Sequence, residues 1–365
     1  MALTRIGIIG AGTMGSGIAI ASVARGCEVK LVDANAEAIA KAKGAAESFF
    51  GRAVEKGRMT ATDATDATAR IVGASDVTDL ADRELVIEAV FEDFDLKAKV
   101  FRQLGEVVGA ACVVATNTSC LKVSDLQAHI TAPERFLGLH YFSPAQVNPI
   151  VEVVRGDKTN DEVFQTAIDF CKDTGKDPLP CRDQYGFAIN RFFCPYTNEA
   201  ARALDEGLGS TAEIDKVAQE AMGAAAGPFF VMNLIKPRVN LHAIRNLGPL
   251  GDFYAPAASM EKVGDADESW EIGEAGEIPA DRFRAIADRL MTGWLLPALQ
   301  EIDEDIAEPA VMDRGAREAL KVKKAPCALM DELGRAEVER ILQPALERFA
   351  IPAPAALARV GSLVG

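Results

Sequence analysis

The stretch Arg5-Ile6-Gly7-Ile8-Ile9-Gly10-Ala11-Gly12-Thr13-Met14-Gly15 decides the fold. It opens with a short apolar run ending on glycine, the pattern of a strand buried on both faces of a parallel sheet. A helical stretch follows from Ser16 to Arg25, and Glu28-Val29-Lys30-Leu31-Val32-Asp33 reads as a second strand ending on a carboxylate. Strand, Gly-x-Gly-x-x-Gly, helix, strand and acid together are the signature of a dinucleotide site. Gly10 permits the tight turn, Gly12 lets the backbone approach a pyrophosphate, and Gly15 lets the helix pack on the strand. Thr13 and Met14 stand between them, where the unpaired N–H groups of a helix N-terminus receive phosphate. Asp33 lies 23 residues after Gly10, where a carboxylate binds both hydroxyls of an adenosine ribose. It repels a 2′-phosphate, and Ala34 and Asn35 follow it rather than Arg, so the expected cofactor is NAD and not NADP.

Outward from this unit, apolar runs return at Leu85–Val90, Cys112–Thr116, Phe136–His140 and Ile150–Val154, with helical patterns in several of the gaps. Strands alternating with helices predict an α/β fold, a doubly wound, mostly parallel sheet of the Rossmann type. Ile6 to Ala24 runs nineteen residues without a charge, long enough to imitate a membrane span. Five of the nineteen are Gly, and no basic n-region or cleavage site accompanies them, so the strand–turn–helix reading stands. After about Cys181 the β-branched runs thin out, and from Asn190 onward helices are expected. Leu247–Glu277 is rich in Gly, Pro and Asp and reads as a long irregular connection. Asp205–Ile235 aligns without gaps on Asp303–Leu333 at an offset of 98, with Asp205/Asp303, Glu206/Glu304, Asp215/Asp313, Pro228/Pro326 and Met232/Met330 identical. This points to a duplicated helical module. The expected domains are 1–185 (dinucleotide-binding), 186–280 (a first helical domain with the irregular connection) and 281–365 (a second helical domain). The second module is expected to pack against the first as an internal, pseudo-symmetric partner. A homodimer through other surfaces is left open.

Composition narrows the function. The 365 residues are 49% apolar and 25% charged, which is ordinary globular composition. Net charge is −15, and between Asp252 and Asp313 sixteen Asp and Glu stand against four Lys and Arg. A phosphate-neutralising nucleic-acid binder needs a basic surface, so that class is excluded; no membrane partner is expected either. Seven scattered cysteines with no Cys-x-x-Cys predict reduced thiols and a cytoplasmic protein, and three His leave little material for a metal site.

The run Phe136-Leu137-Gly138-Leu139-His140-Tyr141-Phe142-Ser143-Pro144 places a His at the end of a strand, and Glu152 sits twelve residues later in Ile150-Val151-Glu152-Val153-Val154. A carboxylate among strand aliphatics is expensive unless paired, and His140 is its natural partner. Such a pair either moves a proton, the carboxylate orienting the imidazole, or is a structural contact.

With these motifs quoted, the chain resembles the L-3-hydroxyacyl-CoA dehydrogenase family. The resemblance extends from Ile8 to Ala19 and through Val86-Ile87-Glu88-Ala89-Val90-Phe91-Glu92 followed by Leu96-Lys97. It continues in Thr116-Asn117-Thr118-Ser119, Gly138–Phe142, Glu152-Val153-Val154, Gly186–Arg191 and Ala226-Gly227-Pro228-Phe229. It implies NAD-dependent oxidation of (S)-3-hydroxyacyl-CoA to 3-oxoacyl-CoA, with an acyl-CoA as substrate. His140 would be the general base, Glu152 its holder, Ser119 the hydrogen-bond partner of the reacting oxygen and Asn190 a positioner of the thioester. Glu92, Lys97, Asn117, Ser119 and Ser143 would line the cofactor site. Ser48, Arg52 and Lys56, on the helix after the second strand, would meet CoA. Ser143 stands where the family usually has Asn, and a C-terminal Gly- and Lys-rich segment of many single-unit members is missing. Ala325-Pro326-Cys327 replaces Gly227-Pro228-Phe229 in the second copy. Two other readings remain: a dehydrogenase of a non-CoA 3-hydroxy acid or carnitine-like substrate, and a non-catalytic NAD-binding protein.

Overall fold

The computed structural model describes residues 3–365, in two compact units that divide after Asp183. The first unit carries, in chain order, β1 (Arg5–Ile9), α1 (Thr13–Val23), β2 (Glu28–Val32), α2 (Ala36–Glu55), α3 (Ala61–Ala69), β3 (Ile71–Ala74), β4 (Leu85–Glu88) and α4 (Phe94–Val107). Then follow β5 (Val113–Thr116), α5 (Val123–Gln127), β6 (Phe136–Tyr141), β7 (Ile150–Arg155), α6 (Asp161–Asp173) and β8 (Asp177–Arg182). They build one eight-stranded sheet of order β3-β2-β1-β4-β5-β6-β7-β8, parallel throughout except for the β6–β7 pair. The chain builds outward to one side from β1 and then to the other from β4. The loops after β1 and β4 therefore leave the sheet at a topological switch point, where open α/β sheets bind ligands. Ile6, Ile8, Leu31, Ile87, Ala115, Leu139 and Val153 are buried in the core that holds these strands.

The charge-free stretch at the N-terminus is β1, the glycine turn and α1, and no helix among the described residues is long and apolar enough to cross a membrane. Two strands lie outside the expected set. β3 is four residues long, with Val72 exposed, and β8 contains Pro178 and Pro180. Both are edge strands, where short length and missing N–H donors are tolerated and where alternation fades from the sequence. The seven cysteines are buried and unbridged.

The second unit is helical: α7 (Asn190–Asp205), α8 (Thr211–Met222), α9 (Pro228–Ile235), α10 (Pro237–Asn246), α11 (Ala258–Ala266), α12 (Ala280–Asp303), α13 (Pro309–Glu318), α14 (Pro326–Leu333) and α15 (Arg335–Arg348). The expected irregular connection is thus broken by α11. Asp205 accepts the Ser259 N–H at the start of that helix (3.1 Å), and Gly264 lets it lie against Leu241 of α10, where a Cβ would come within 2.6 Å.

Both helical repeats lie in this one unit, and the offset of 98 runs through its backbone. Gly207 and Asp305, Gly223 and Lys321, and Lys236 and Gly334 take positive φ in pairs. Asp215 accepts the N–H groups of Phe229 and Phe230 at the start of α9, and Asp313 accepts those of Cys327 and Ala328 at the start of α14. α7 and α12 cross where Gly293 meets the Pro195 carbonyl, 98 residues apart, and Ala224 bridges to Val322 at the same offset. Arg191 pairs with Glu304 (2.5 Å) and Arg289 with Glu206 (2.5 Å), each contact being the other's image under the exchange of copies. Contacts of that kind have the reciprocal form of an isologous pairing.

Candidate active site

The dinucleotide loop is shaped by contact at two glycines and by space at the third. Gly10 has φ +103°, and a Cβ there would meet the Ala89 carbonyl at 2.5 Å. A Cβ on Gly15 would stand 1.8 Å from the Gly10 carbonyl, so α1 closes on the turn only because that side chain is absent. A Cβ on Gly12 would meet nothing within 4 Å, leaving its backbone open to a ligand. α1 begins at Thr13, so Gly15 lies in the helix's first turn and not ahead of it. Asp33 follows β2 and accepts the Ala11 N–H at 2.7 Å, which puts the acid directly on the glycine loop. These residues fit NAD: an open backbone at a helix start and a carboxylate beside it.

His140 and Glu152 face each other across the antiparallel β6–β7 pair. Nδ1 of His140 stands 2.6 Å from Glu152 Oε2, and the two side chains are 7% and 0% exposed. A carboxylate that close keeps the proton on Nδ1 and leaves Nε2 as the basic nitrogen. Asn117 and Ser119 follow β5, and the Tyr141 N–H donates to Asn117 Oδ1 (2.9 Å), tying that loop to the residue after His140. The loops after β1, β4, β5 and β6, all neighbouring strands running the same way, thus place Gly10–Gly15, Glu92, Asn117, Ser119 and Ser143 at the same end of the sheet as His140, near the end of β6.

Glu92 is the polar hub of the loop after β4. Oε1 accepts the Ser119 N–H (2.8 Å) and the Thr118 hydroxyl, and Oε2 receives Lys97 Nζ (3.2 Å). Burial pushes the Glu92 carboxyl up, but the Lys97 charge and these donors outweigh it and hold the group below its ordinary range. Lys97 also donates to Glu88 at 2.6 Å; burial pulls its ammonium down, and the two carboxylates more than reverse this. Lys97, expected to line the cofactor site beside Glu92, is 1% exposed with its ammonium held between two acids.

Ser48 and Arg52 lie exposed along α2, four residues apart, with exposed Lys56 at its C-cap. Asn190 belongs to the second unit, as the first residue of α7. Two contributors were given no role by the sequence. Glu88, part of the Val86–Glu92 motif, is fully buried at the end of β4. Lys176 donates to the carbonyls of Ala145 (2.6 Å) and Asn148 (2.8 Å) and so holds the loop after β6. Burial pulls its ammonium down to about 8. Nothing in its local sequence signals that contact.

Comparison with known families matches residues 5–184 to the 3-hydroxyacyl-CoA dehydrogenase NAD-binding domain and residues 186–276 to the C-terminal domain of the same enzymes. The chain belongs to the 3-hydroxyacyl-CoA dehydrogenase family. Members of this family are NAD-dependent oxidoreductases, and the cofactor of the glycine loop is NAD. A probable 3-hydroxybutyryl-CoA dehydrogenase of Deinococcus radiodurans is 33% identical over 261 residues, covering 71% of this chain and 94% of that protein. The 3-hydroxyadipyl-CoA dehydrogenase of Escherichia coli is 37% identical over 235 residues, which are 64% of this chain and 50% of that protein. The match thus spans about half the length of that relative. Among solved structures, (S)-3-hydroxybutyryl-CoA dehydrogenase from Ralstonia eutropha is 34% identical with TM-score 0.70, over 73% of this chain and 94% of its own. A 3-hydroxybutyryl-CoA dehydrogenase from Escherichia coli shares the fold at TM-score 0.89 and 23% identity, over 99% of this chain and 98% of its own.

Proposed function

We propose that this dehydrogenase oxidises (S)-3-hydroxyacyl-CoA esters to 3-oxoacyl-CoA, reversibly, with His140 as general base. The carrying observation is the His140–Glu152 pair at 2.6 Å, in a sheet whose neighbouring loops hold the dinucleotide motif. When bound, NAD supplies the acceptor for the C3 hydride; Gly10, Gly12, Thr13, Met14, Gly15 and Asp33 are the residues to hold it. Nε2 of His140 takes the hydroxyl proton as the C–H bond breaks. Glu152 fixes the Nδ1–H tautomer and offsets the charge of the imidazolium. Ser119 donates to the reacting oxygen as it becomes a carbonyl. Ser48 and Arg52 on α2 and Lys56 at its C-cap offer CoA one hydroxyl and two cations.

We also read the second unit as two copies of one module, 186–280 and 281–365, the second serving the first as an internal partner. The reciprocal pairs Arg191–Glu304 and Arg289–Glu206 support this. A panel of (S)-3-hydroxyacyl-CoA esters, the matching free acids and carnitine, followed by NADH absorbance, tests the substrate class. Turnover confined to thioesters is expected, and equal turnover of a free 3-hydroxy acid would overturn it.

A further inference from the structure

The β6–β7 ladder ends at the pair Tyr141–Val151, so residues 142–149 lie beyond it. Within them the Pro144 carbonyl accepts the N–H groups of Val147 (2.9 Å) and Asn148 (2.8 Å), which folds 144–148 into one compact turn. Exposed Ser143 is attached to the start of that turn. The turn meets α1, the helix that opens the dinucleotide site. A Cβ on Gly17 would stand 3.0 Å from Ala145 Cβ and 2.7 Å from Gln146 Oε1, so helix and turn lie in direct contact. Lys176 grips the same turn, its ammonium donating to the carbonyls of Ala145 (2.6 Å) and Asn148 (2.8 Å).

Lys176 is itself firmly placed. Gly175 before it has φ +73°, and a Cβ there would come within 2.5 Å of the Arg25 guanidinium, just past the end of α1. The Lys176 N–H donates to the Cys171 carbonyl (2.7 Å), and the Asp177 N–H to the Pro149 carbonyl (2.8 Å), where β8 joins β7. The lysine side chain is buried, as is Ala145. It therefore binds the interior of a loop whose two ends the sheet already holds. Closing that loop needs no ammonium; what the two bonds fix is its shape, and charge-assisted bonds of this kind are roughly twice as strong as neutral ones. We propose that Lys176 is a positioning residue of the cofactor site, fixing the place of Ser143 by holding the turn that follows it. The inference rests on the reading of Ser143 as a residue that lines the cofactor.

Lys176→Met keeps the apolar stem and removes the donors, and it strands no buried charge. The test is a double-mutant cycle in the full chain, Lys176→Met against Ser143→Ala, read as NADH affinity by fluorescence without substrate. That readout is independent of which hydroxyacyl compound the enzyme oxidises, and melting curves run beside it. Each single variant should weaken NADH roughly three- to tenfold, the worth of one hydrogen bond. In the Ser143→Ala background Lys176→Met should cost less than about twofold more, since the group it positions is gone. A merely structural lysine lowers Tm and gives the same loss of affinity in both backgrounds, which overturns the proposal. A Lys176→Met enzyme that binds NADH within twofold of wild type overturns it too. Should Lys176→Met fail to fold, Lys176→Gln, which keeps an N–H donor on an arm one atom shorter, must show the same non-additivity; an additive cycle there overturns the proposal. A Ser143→Ala enzyme with NADH affinity within twofold of wild type refutes the reading of Ser143 and the proposal together, whereas a clear Ser143→Ala loss with an additive cycle overturns the proposal alone.

Discussion

Replacing Glu152 with Gln removes one charge and almost no volume from a fully buried side chain directly opposite His140. The new amide has two ways to lie. With its oxygen on Nδ1–H the tautomer survives, but the imidazolium formed during oxidation loses its counter-charge. With its NH2 on Nδ1 the proton moves to Nε2, and the base is switched off. Both disable proton removal, which is worth roughly 10²–10⁴-fold. At 1.36 kcal/mol per decade, that is about 3–5 kcal/mol of transition-state stabilisation. Glu152→Asp supplies the scale: it keeps the charge but draws the carboxylate back by about 1.5 Å from a contact now 2.6 Å long. The β6–β7 ladder keeps the strands from closing that gap, so its loss should fall between wild type and Gln. Turnover is followed by NADH absorbance, with NADH fluorescence and a melting curve confirming that the variants bind cofactor and fold. A Glu152→Gln enzyme with kcat within tenfold of wild type would refute the general-base assignment.

Asp33→Ala should narrow the preference for NAD over NADP, chiefly by weakening NAD; a wild type with equal kcat/KM for the two cofactors would show that the acid sets no preference. Gly12→Ala and Gly15→Ala should separate binding from folding. A Cβ on Gly12 meets no atom of the chain, so NAD affinity falls with Tm unchanged, whereas a Cβ 1.8 Å from the Gly10 carbonyl on Gly15 lowers Tm as well; equal Tm values for the two variants would contradict this. Burial pushes the Asp215 carboxyl up to about 6, against the two N–H groups it accepts. The folded chain therefore holds a proton that the unfolded chain has lost, and the stability this gives is full below about pH 4 and lost as pH rises through 6. Denaturant unfolding of wild type minus Asp215→Asn should fall by about 2–3 kcal/mol between pH 4 and 7, and a difference that stays flat with pH would refute the shift.

The part of the site legible in the sequence is the part built from adjacent residues. Gly10, Gly12, Gly15 and Asp33 declare themselves because turn, helix start and next strand follow at fixed spacings. His140 and Glu152 were legible as a pair because a carboxylate among strand aliphatics demands a partner; their antiparallel register then puts them face to face. What was missed depends on tertiary closure. Lys176 reaches back 31 residues to the Ala145 carbonyl, and no local pattern encodes that. Lys97 is expected from the resemblance to line the cofactor site, and its surroundings there were not legible. Burial between two acids is a property of how α4 docks beside the end of β4, which its own sequence does not state. The edge strands β3 and β8 stayed hidden because an edge need not alternate and tolerates proline.

Read as two copies of one module, the helical unit lets the chain act as its own control. Positions kept in both answer to the shared fold: the acids Asp215 and Asp313 that cap α9 and α14, Pro228 and Pro326 behind them, and the reciprocal Arg–Glu pairs between copies. Positions that differ answer to one copy alone. Phe229 packs edge-on against Trp270 of the connection after α11, at 4.8 Å, and Cys327 stands in its place in the second copy. On the outer face, Phe230, Leu234 and Val239 are more than half exposed in the first copy, where the second carries Ala328, Glu332 and Glu337. The same helices fold in the second copy without those apolar side chains. The shared module therefore does not by itself require them.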